Sequence, residues 1–206
     1  MKALLLLSSG IDSPVAGHLM IRQGYEVSAI HFEHTTDKKN LEKVKQLAKH
    51  IGIKKIFFIN NRKNQELIAN NCNPRYQCVI CKRLMYRIAE AIAKKENIEN
   101  LLTGENLAQV ASQTLTNMAV LNKTVKIRIL RPLLGFDKTE TMKIARQIGT
   151  YEISTQKSAG CPFVPHKPIT QAKLKVVEQE ESKLNLKQII ENNLKSVEII
   201  ELGDKK

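Results

Sequence analysis

Two groups of residues in this chain could do chemistry. The first is Ser8-Ser9-Gly10-Ile11-Asp12-Ser13, between the apolar run of residues 3–7 and an amphipathic stretch. Small residues there let backbone N–H groups crowd around an anion, and the following helix N-terminus adds partial positive charge. The hydroxyls of Ser8 and Ser13 can donate to phosphate oxygens, and Pro14 suits a first helical turn, where its missing N–H is not needed. No Gly-Lys-Ser/Thr closes the loop, so it is not of the Walker type, and alone it reads equally well as an anion site or a plain structural turn. The second group is Cys78-Val79-Ile80-Cys81, with Cys72 upstream and Cys161 far downstream. A helix start beside Lys82 and Arg83 is expected to lower the thiol pKa values of the CxxC pair and favour thiolate. Thiolates bind metals and attack sulfur, but redox pairs and half zinc sites share this spacing.

These residues need a scaffold. The 206 residues suffice for one α/β domain, and a hydrophobic fraction of 42% argues against disorder. With no Trp and 4% aromatics, the core must be built of Leu, Ile, Val and Ala, which suits a buried parallel sheet. Lys and Arg outnumber Asp and Glu by 33 to 20, a net charge of +13. Such a surplus favours a polyanionic partner such as nucleic acid, although part of it serves solvated helix faces. The apolar start is shorter than a signal h-region or a membrane span, so no membrane association and a cytoplasmic location are expected. Four cysteines without a secretory signal fit a reducing compartment.

Short apolar runs alternate with helical periodicity, the βαβ pattern of a parallel sheet. Strands are predicted over 3–7, 26–32, 55–59, 98–103 and 125–130. Helices are predicted over 13–23, from a cap at Asp37 to Gly52, over 82–95 and over 108–121. A further one starts at Asp137-Lys138-Thr139-Glu140, a capping-box pattern, and ends at Gly149. Residues 72–81 read as a loop, and a charged helical tail follows Pro168. The expected fold is α/β, a doubly wound parallel sheet of about five strands. Residues 1–169 would form the nucleotide-binding domain, with 170–206 its helical C-terminal extension.

The loop Ser8 to Ser13 resembles the SGGxDS loop of PP-loop pyrophosphatases, which cleave ATP between the α- and β-phosphates. Within that superfamily the chain resembles the tRNA 4-thiouridine synthetase family in several separate motifs. These are Ser8 to Ala16 with His31-Phe32, Thr103-Gly104-Glu105-Asn106, and Gln109-Val110-Ala111-Ser112-Gln113-Thr114. Leu130-Arg131-Pro132-Leu133 with Asp137-Lys138, and Ile148 to Ile153, continue the match in order. Ser9 replaces the usual second glycine, which a tight turn accepts if its φ stays negative. The family's N-terminal THUMP module, and the rhodanese domain of some members, have no counterpart expected in this chain.

The resemblance implies that the backbone of Leu6 and Leu7 and the loop through Ser8, Gly10, Ile11 and Ser13 hold ATP. Asp12 would organise Mg²⁺ or pyrophosphate near the phosphates, while also being a candidate cap of its helix. His31 and Phe32 would frame adenine and ribose; Lys82, Gly104 and Gln113 match nucleotide-contacting positions; Lys138 matches a functional basic position able to stabilise phosphate charge. Cys161 matches a cysteine associated with sulfur transfer. With Cys78 and Cys81 it would hold an iron–sulfur cluster ([4Fe–4S] or [3Fe–4S]) with one iron open to hydrosulfide. Cys72 is left uninvolved, unless all four cysteines hold zinc; a persulfide on Cys161 is the other alternative.

The implied activity is ATP-dependent tRNA thiolation: adenylation of uridine O4, then replacement of that oxygen by sulfur to give 4-thiouridine. The partners would be tRNA, a sulfide or persulfide donor and, for tRNA capture, a separate THUMP-like subunit; a homodimer stays open. The competing expectations are a PP-loop ligase or amidase with structural zinc acting on a small molecule, and a non-catalytic nucleotide-binding subunit.

Overall fold

The Val-, Ile- and Leu-rich runs need apolar cover on both faces, and they find it in one sheet. In the computed structural model, which describes residues 1–35, 38–107 and 111–203, the strands are β1 (Lys2–Leu6), β2 (Glu26–Glu33), β3 (Lys55–Asn60), β4 (Asn100–Leu102), β5 (Arg128–Leu130) and β6 (Glu198–Glu201). Their order is β5-β4-β1-β2-β3-β6. The first five are parallel, as expected, and β6 adds antiparallel to β3. The tail is therefore not helical throughout: its four-residue strand, with charges at both ends, is too short to read as one.

The helices are α1 (Asp12–Arg22), α2 (Lys38–His50), α3 (Arg62–Asn71), α4 (Gln77–Lys95), α5 (Leu115–Asn122), α6 (Lys138–Gln147), α7 (Tyr151–Thr155), α8 (Leu174–Glu181) and α9 (Leu186–Ser196). Strand side chains alternate between the two layers. Leu4, Ile30 and Phe57 pack with Ile80, Leu84 and Ile88 of α4, while Leu5, Ala29 and Ile56 pack with Met20 of α1 and Val44 and Ala48 of α2. Gly24 and Gly52, with φ of 84° and 88°, close α1 and α2 where the sequence predicts.

Three differences matter for the site. Helix α4 starts at Gln77 rather than Lys82, because Asn73 caps a short 3₁₀ turn over Pro74–Tyr76 that runs straight into it. Helix α3 has no predicted counterpart; its sequence is polar, and it is fixed by buried Asn64, Gln65 and Ile68. The helix expected over 108–121 begins only at Leu115, capped by the Thr114 hydroxyl. The proposed cap Asp37 and the motif residues Gln109 and Val110 lie outside the described residues.

The tail docks on α4 through a buried ion triad. Arg83, 2% exposed, donates to both Glu181 oxygens at 2.8 and 2.9 Å and to the Val120 carbonyl at 2.7 Å. Arg87 donates to the same carboxylate at 2.6 and 3.0 Å. A Glu181→Ala change leaves two guanidinium groups without their anion. Denaturant unfolding is expected to register a loss of about 3–5 kcal/mol.

Candidate functional site

Chain order places β2 and β3 on one side of β1 and β4 and β5 on the other. The carboxyl ends of β1 and β4 therefore flank the topological switch point, where α/β sheets open a crevice for ligands. The Ser8–Ser13 turn sits there and closes on itself. Ser8 N donates to Ser13 Oγ at 2.9 Å, the two hydroxyls lie 3.0 Å apart, and Gly10 N donates to Ser8 Oγ at 3.3 Å. Among the described residues Asn97 is the one non-glycine with positive φ, so Ser9 fills the usual glycine position without left-handed strain. Gly104, just after β4, presses on the turn from the other strand. A Cβ added there would lie 2.5 Å from Ser13 N and 2.6 Å from Ser13 Cα.

Asp12 does not cap α1. Ile11 occupies the cap position with no side-chain bond, and Asp12 stands in the first turn. Its carboxylate accepts instead from Lys138 Nζ at 2.9 Å. Lys138 is placed by the predicted capping box: Asp137 and Glu140 exchange side-chain-to-backbone bonds of 2.7 Å each way at the start of α6. The geometry thus joins two residues 126 positions apart beside the turn.

Two adjoining cavities flank this turn. One, about 200 Å³, is lined by Ser8, Asp12, Ser13, Lys82, Gly104 and Gln113, so it gathers most of the expected nucleotide contacts. Gln113 Oε1 is buried there without a partner. The other, about 250 Å³, runs along Leu6, Leu7, Ser8, His31 and Phe32 to Cys161, and the two share Leu6, Ser8 and Met85. His31 is buried, with Nδ1 2.9 Å from the Leu7 carbonyl oxygen and Nε2 3.4 Å from Glu33. It braces the wall behind the turn, and Phe32 is also core. Ile11 packs against the α1–α6 layer rather than lining either cavity.

Sequence reasoning passed over Glu105, which organises the first cavity. It is 5% exposed and accepts from Lys82 Nζ (2.9 Å), Arg131 Nε (2.8 Å) and the Tyr86 hydroxyl (2.7 Å). Burial alone would raise its pKa, but the Lys82 and Arg131 charges outweigh it and hold the group at about 2. Glu33 is held at about 2 as well: against burial stand hydrogen bonds from His31, the Thr35 backbone and Asn40. Both folded pKa values lie below the ordinary glutamate value of 4.5, so their stabilisation is complete above that pH and is lost as pH falls towards 2. Melting temperature is expected to stay level from neutral pH to about 5 and to drop steeply below 4.5, with Glu105→Gln flattening the acid limb.

The cysteines divide. Cys78 and Cys81 occupy the first turns of α4, whereas Cys161 follows α7 with no helix or strand of its own. Gln65 Nε2 donates to Cys161 Sγ at 3.1 Å and lies 3.9 Å from Cys81 Sγ, so these sulfurs share one amide. Cys72 stands apart, its thiol donating to the Glu180 carbonyl at 3.5 Å, which argues against a four-cysteine zinc site.

Residues 1–186 match the family model described as Thiamine biosynthesis protein (ThiI). The chain belongs to this ThiI family. A relative from Finegoldia magna, called "Probable tRNA sulfurtransferase", is 40% identical over 98% of this chain and 54% of its own length. The chain spans about half the length of the curated relatives it matches. A solved 4-thiouridine synthetase, in a complex with RNA and bound ATP, superposes with a TM-score of 0.91 at 35% identity, covering 97% of this chain and 55% of that one. NMN synthetase from Francisella tularensis, at 14% identity and a TM-score of 0.60 over 92% of this chain and 85% of its own, shares the fold alone. No helix among the described residues is long and apolar enough to cross a membrane.

For a ThiI-family chain the thiols carry a correction. The sequence predicts lowered pKa values at the CxxC pair; the structure raises them. Burial pushes Cys81 to about 12, and burial together with the nearby Cys161 raises Cys78 against a smaller pull from Lys82. Arg83, expected to help, is committed to Glu181 and the Val120 carbonyl. The donor chemistry of three thiols suits an iron–sulfur group. The spacing does not: among the described residues no three Cys, His, Asp or Glu side chains form a group that could hold a metal ion.

Proposed function

We propose that this chain performs ATP-dependent transfer of sulfur to a uridine of tRNA, giving 4-thiouridine. The observation that carries this reading is the wall shared by Cys161 and the phosphate turn: one cavity is lined by Ser8, Ser9 and Cys161. A sulfur-bearing residue beside a nucleotide turn fits activation followed by sulfur replacement, and a synthetase that only forms an amide has no use for it.

The reaction balances in two steps. The uridine O4 oxygen attacks the α-phosphorus of ATP, forming an O–P bond as the bond to the β-phosphate oxygen breaks and pyrophosphate leaves. Hydrosulfide then adds at C4, the C4–O bond breaks, and AMP departs with that oxygen while the sulfur's proton goes to water. The turn's N–H groups, Ser8 and Ser13 hold the phosphates, and α1 directs its N-terminus at them. Lys138 stabilises charge developing on the phosphoryl oxygens, and Asp12 orients Lys138 and offers a carboxylate to Mg²⁺. Glu105 aims Lys82 at the same cavity. The net charge of +13 supplies attraction for the tRNA backbone.

Cys78, Cys81 and Cys161 are the residues that would hold an iron–sulfur group, whose chemistry would be to carry sulfide; no step above depends on it. The assay is AMP and pyrophosphate formation under anaerobic conditions, with iron, acid-labile sulfide and zinc measured on the same protein. AMP formation dependent on both tRNA and sulfide supports the reading. AMP formation with ammonia and a small acid instead, on a zinc-bearing protein without sulfide, replaces it with the ligase reading.

A further inference from the structure

Helix α2 sends one cation inwards. Lys43 is 4% exposed, and its ammonium donates to three oxygens in and after α7: the Ser154 carbonyl at 2.7 Å, the Gln156 carbonyl at 2.8 Å and the Ser158 hydroxyl at 3.5 Å. None of these acceptors is charged, so the ammonium is not there to balance a carboxylate. Burying it is unfavourable unless its donors are satisfied, and one stretch of chain satisfies them. In return the ammonium takes carbonyls at the end of α7 that the helix leaves open.

That stretch matters for where it leads. Ser158, Ala159, Gly160 and Cys161 line the cavity that Ser8 and Ser9 also line. Ser154 faces both ways: its carbonyl accepts from Lys43, while its hydroxyl donates to the Gly10 carbonyl of the phosphate turn at 3.2 Å. Further along, the chain is next fixed at Ile169. Its N–H donates to the Arg75 carbonyl at 2.8 Å, and its carbonyl accepts from Asn117 Nδ2 at 2.8 Å. Among the described residues, the one hydrogen bond reaching residues 159–168 is that from Gln65 Nε2 to Cys161 Sγ. Cys161 lies three residues past Ser158 and eight before Ile169, so the Lys43 anchor is the nearer one. Lys43 lines neither cavity beside the phosphate turn, so it acts through the segment it holds.

We propose that Lys43 is a positioning residue for sulfur transfer: by gathering Ser154, Gln156 and Ser158 it holds the Cys161 segment in register with the phosphate turn. This rests on the reading that Cys161 serves sulfur transfer. Without the anchor, adenylated uridine meets water in place of sulfur, and hydrolysis at C4 returns uridine and AMP. ATP is then spent without product. The turn keeps the bonds between Ser8 and Ser13, so adenylation continues.

The test uses the full chain with Lys43→Met, which keeps the side chain's length and removes its donors. Iodoacetamide is the probe, and the alkylation rate of each cysteine is read by mass spectrometry without ATP or tRNA. Cys161 is expected to react about tenfold faster than in the wild type, with Cys72 and Cys78 unchanged. Sulfur incorporated per pyrophosphate released is expected to fall at least about tenfold, since small displacements at a reacting centre are costly. Should Lys43→Met fail to fold, Lys43→Gln is read the same way. An unchanged Cys161 rate in a folded variant overturns the anchor, as does an equal acceleration of all the cysteines, which marks general loosening. A faster Cys161 with an unchanged ratio of sulfur to pyrophosphate leaves Lys43 merely structural and overturns its part in transfer. Wild-type sulfur incorporation in Cys161→Ala overturns instead the reading on which the proposal rests.

Discussion

Replacing Cys161 by Ala is expected to reduce sulfur incorporation into tRNA by about a hundredfold or more, the scale on which a group acting at the reacting atoms registers. Pyrophosphate release should persist. The groups assigned to adenylation are the turn, Asp12 and Lys138, and none of them depends on the cysteine for its position: Ser8 and Ser13 bond each other, and Asp12 bonds Lys138. The informative readout is therefore the ratio of pyrophosphate released to sulfur incorporated, which should rise steeply in the variant. A parallel fall in both quantities would mean that Cys161 serves the nucleotide cavity it lines rather than the sulfur. Cys72→Ala is the matched control, since its thiol is spent on the Glu180 carbonyl and burial has pushed its pKa up to about 11.

The second large effect concerns a single methyl group. Gly104→Ala puts a Cβ 2.5 Å from Ser13 N and 2.7 Å from the Asp12 carbonyl carbon. These neighbours are backbone, not the far ends of flexible side chains, so the turn itself must move. A displacement approaching 1 Å in a positioning element costs on the order of a hundredfold in rate. ATP affinity, measured calorimetrically, is expected to fall at least about tenfold, with about 1–3 kcal/mol of stability lost to overpacking. Gly135→Ala is the control, because its Cβ would meet nothing within 4 Å. Equal ATP affinity in the two variants would remove the phosphate turn from the account.

The sequence made the parts of the site with local signatures legible. The small-residue turn between an apolar run and a helix pointed to an anion site, and the turn lies at the switch point. The Asp137–Glu140 capping box was readable and formed as expected, which fixed Lys138 in advance. What stayed hidden depends on distant partners. Nothing local told that Asp12 would bond Lys138 rather than cap α1, or that Glu105 would collect Lys82, Tyr86 and Arg131. Helix α3 was invisible because its Asn- and Gln-rich stretch buries amides where periodicity looks for apolar residues. The sign of the thiol shifts at the CxxC pair was misjudged for the same reason. Lys82 acts on Cys78 in the predicted direction, but burial of Cys78 and Cys81 is larger, and burial is a property of the fold.

The most direct measurement is to incubate the chain with ³⁵S-sulfide, tRNA and ATP without oxygen and count label in the nucleosides of the recovered tRNA. The account predicts label in 4-thiouridine, one AMP and one pyrophosphate formed for each sulfur, and no label when ATP is withheld. AMP and pyrophosphate formed at the same rate without tRNA, with no label in any nucleoside, would contradict it.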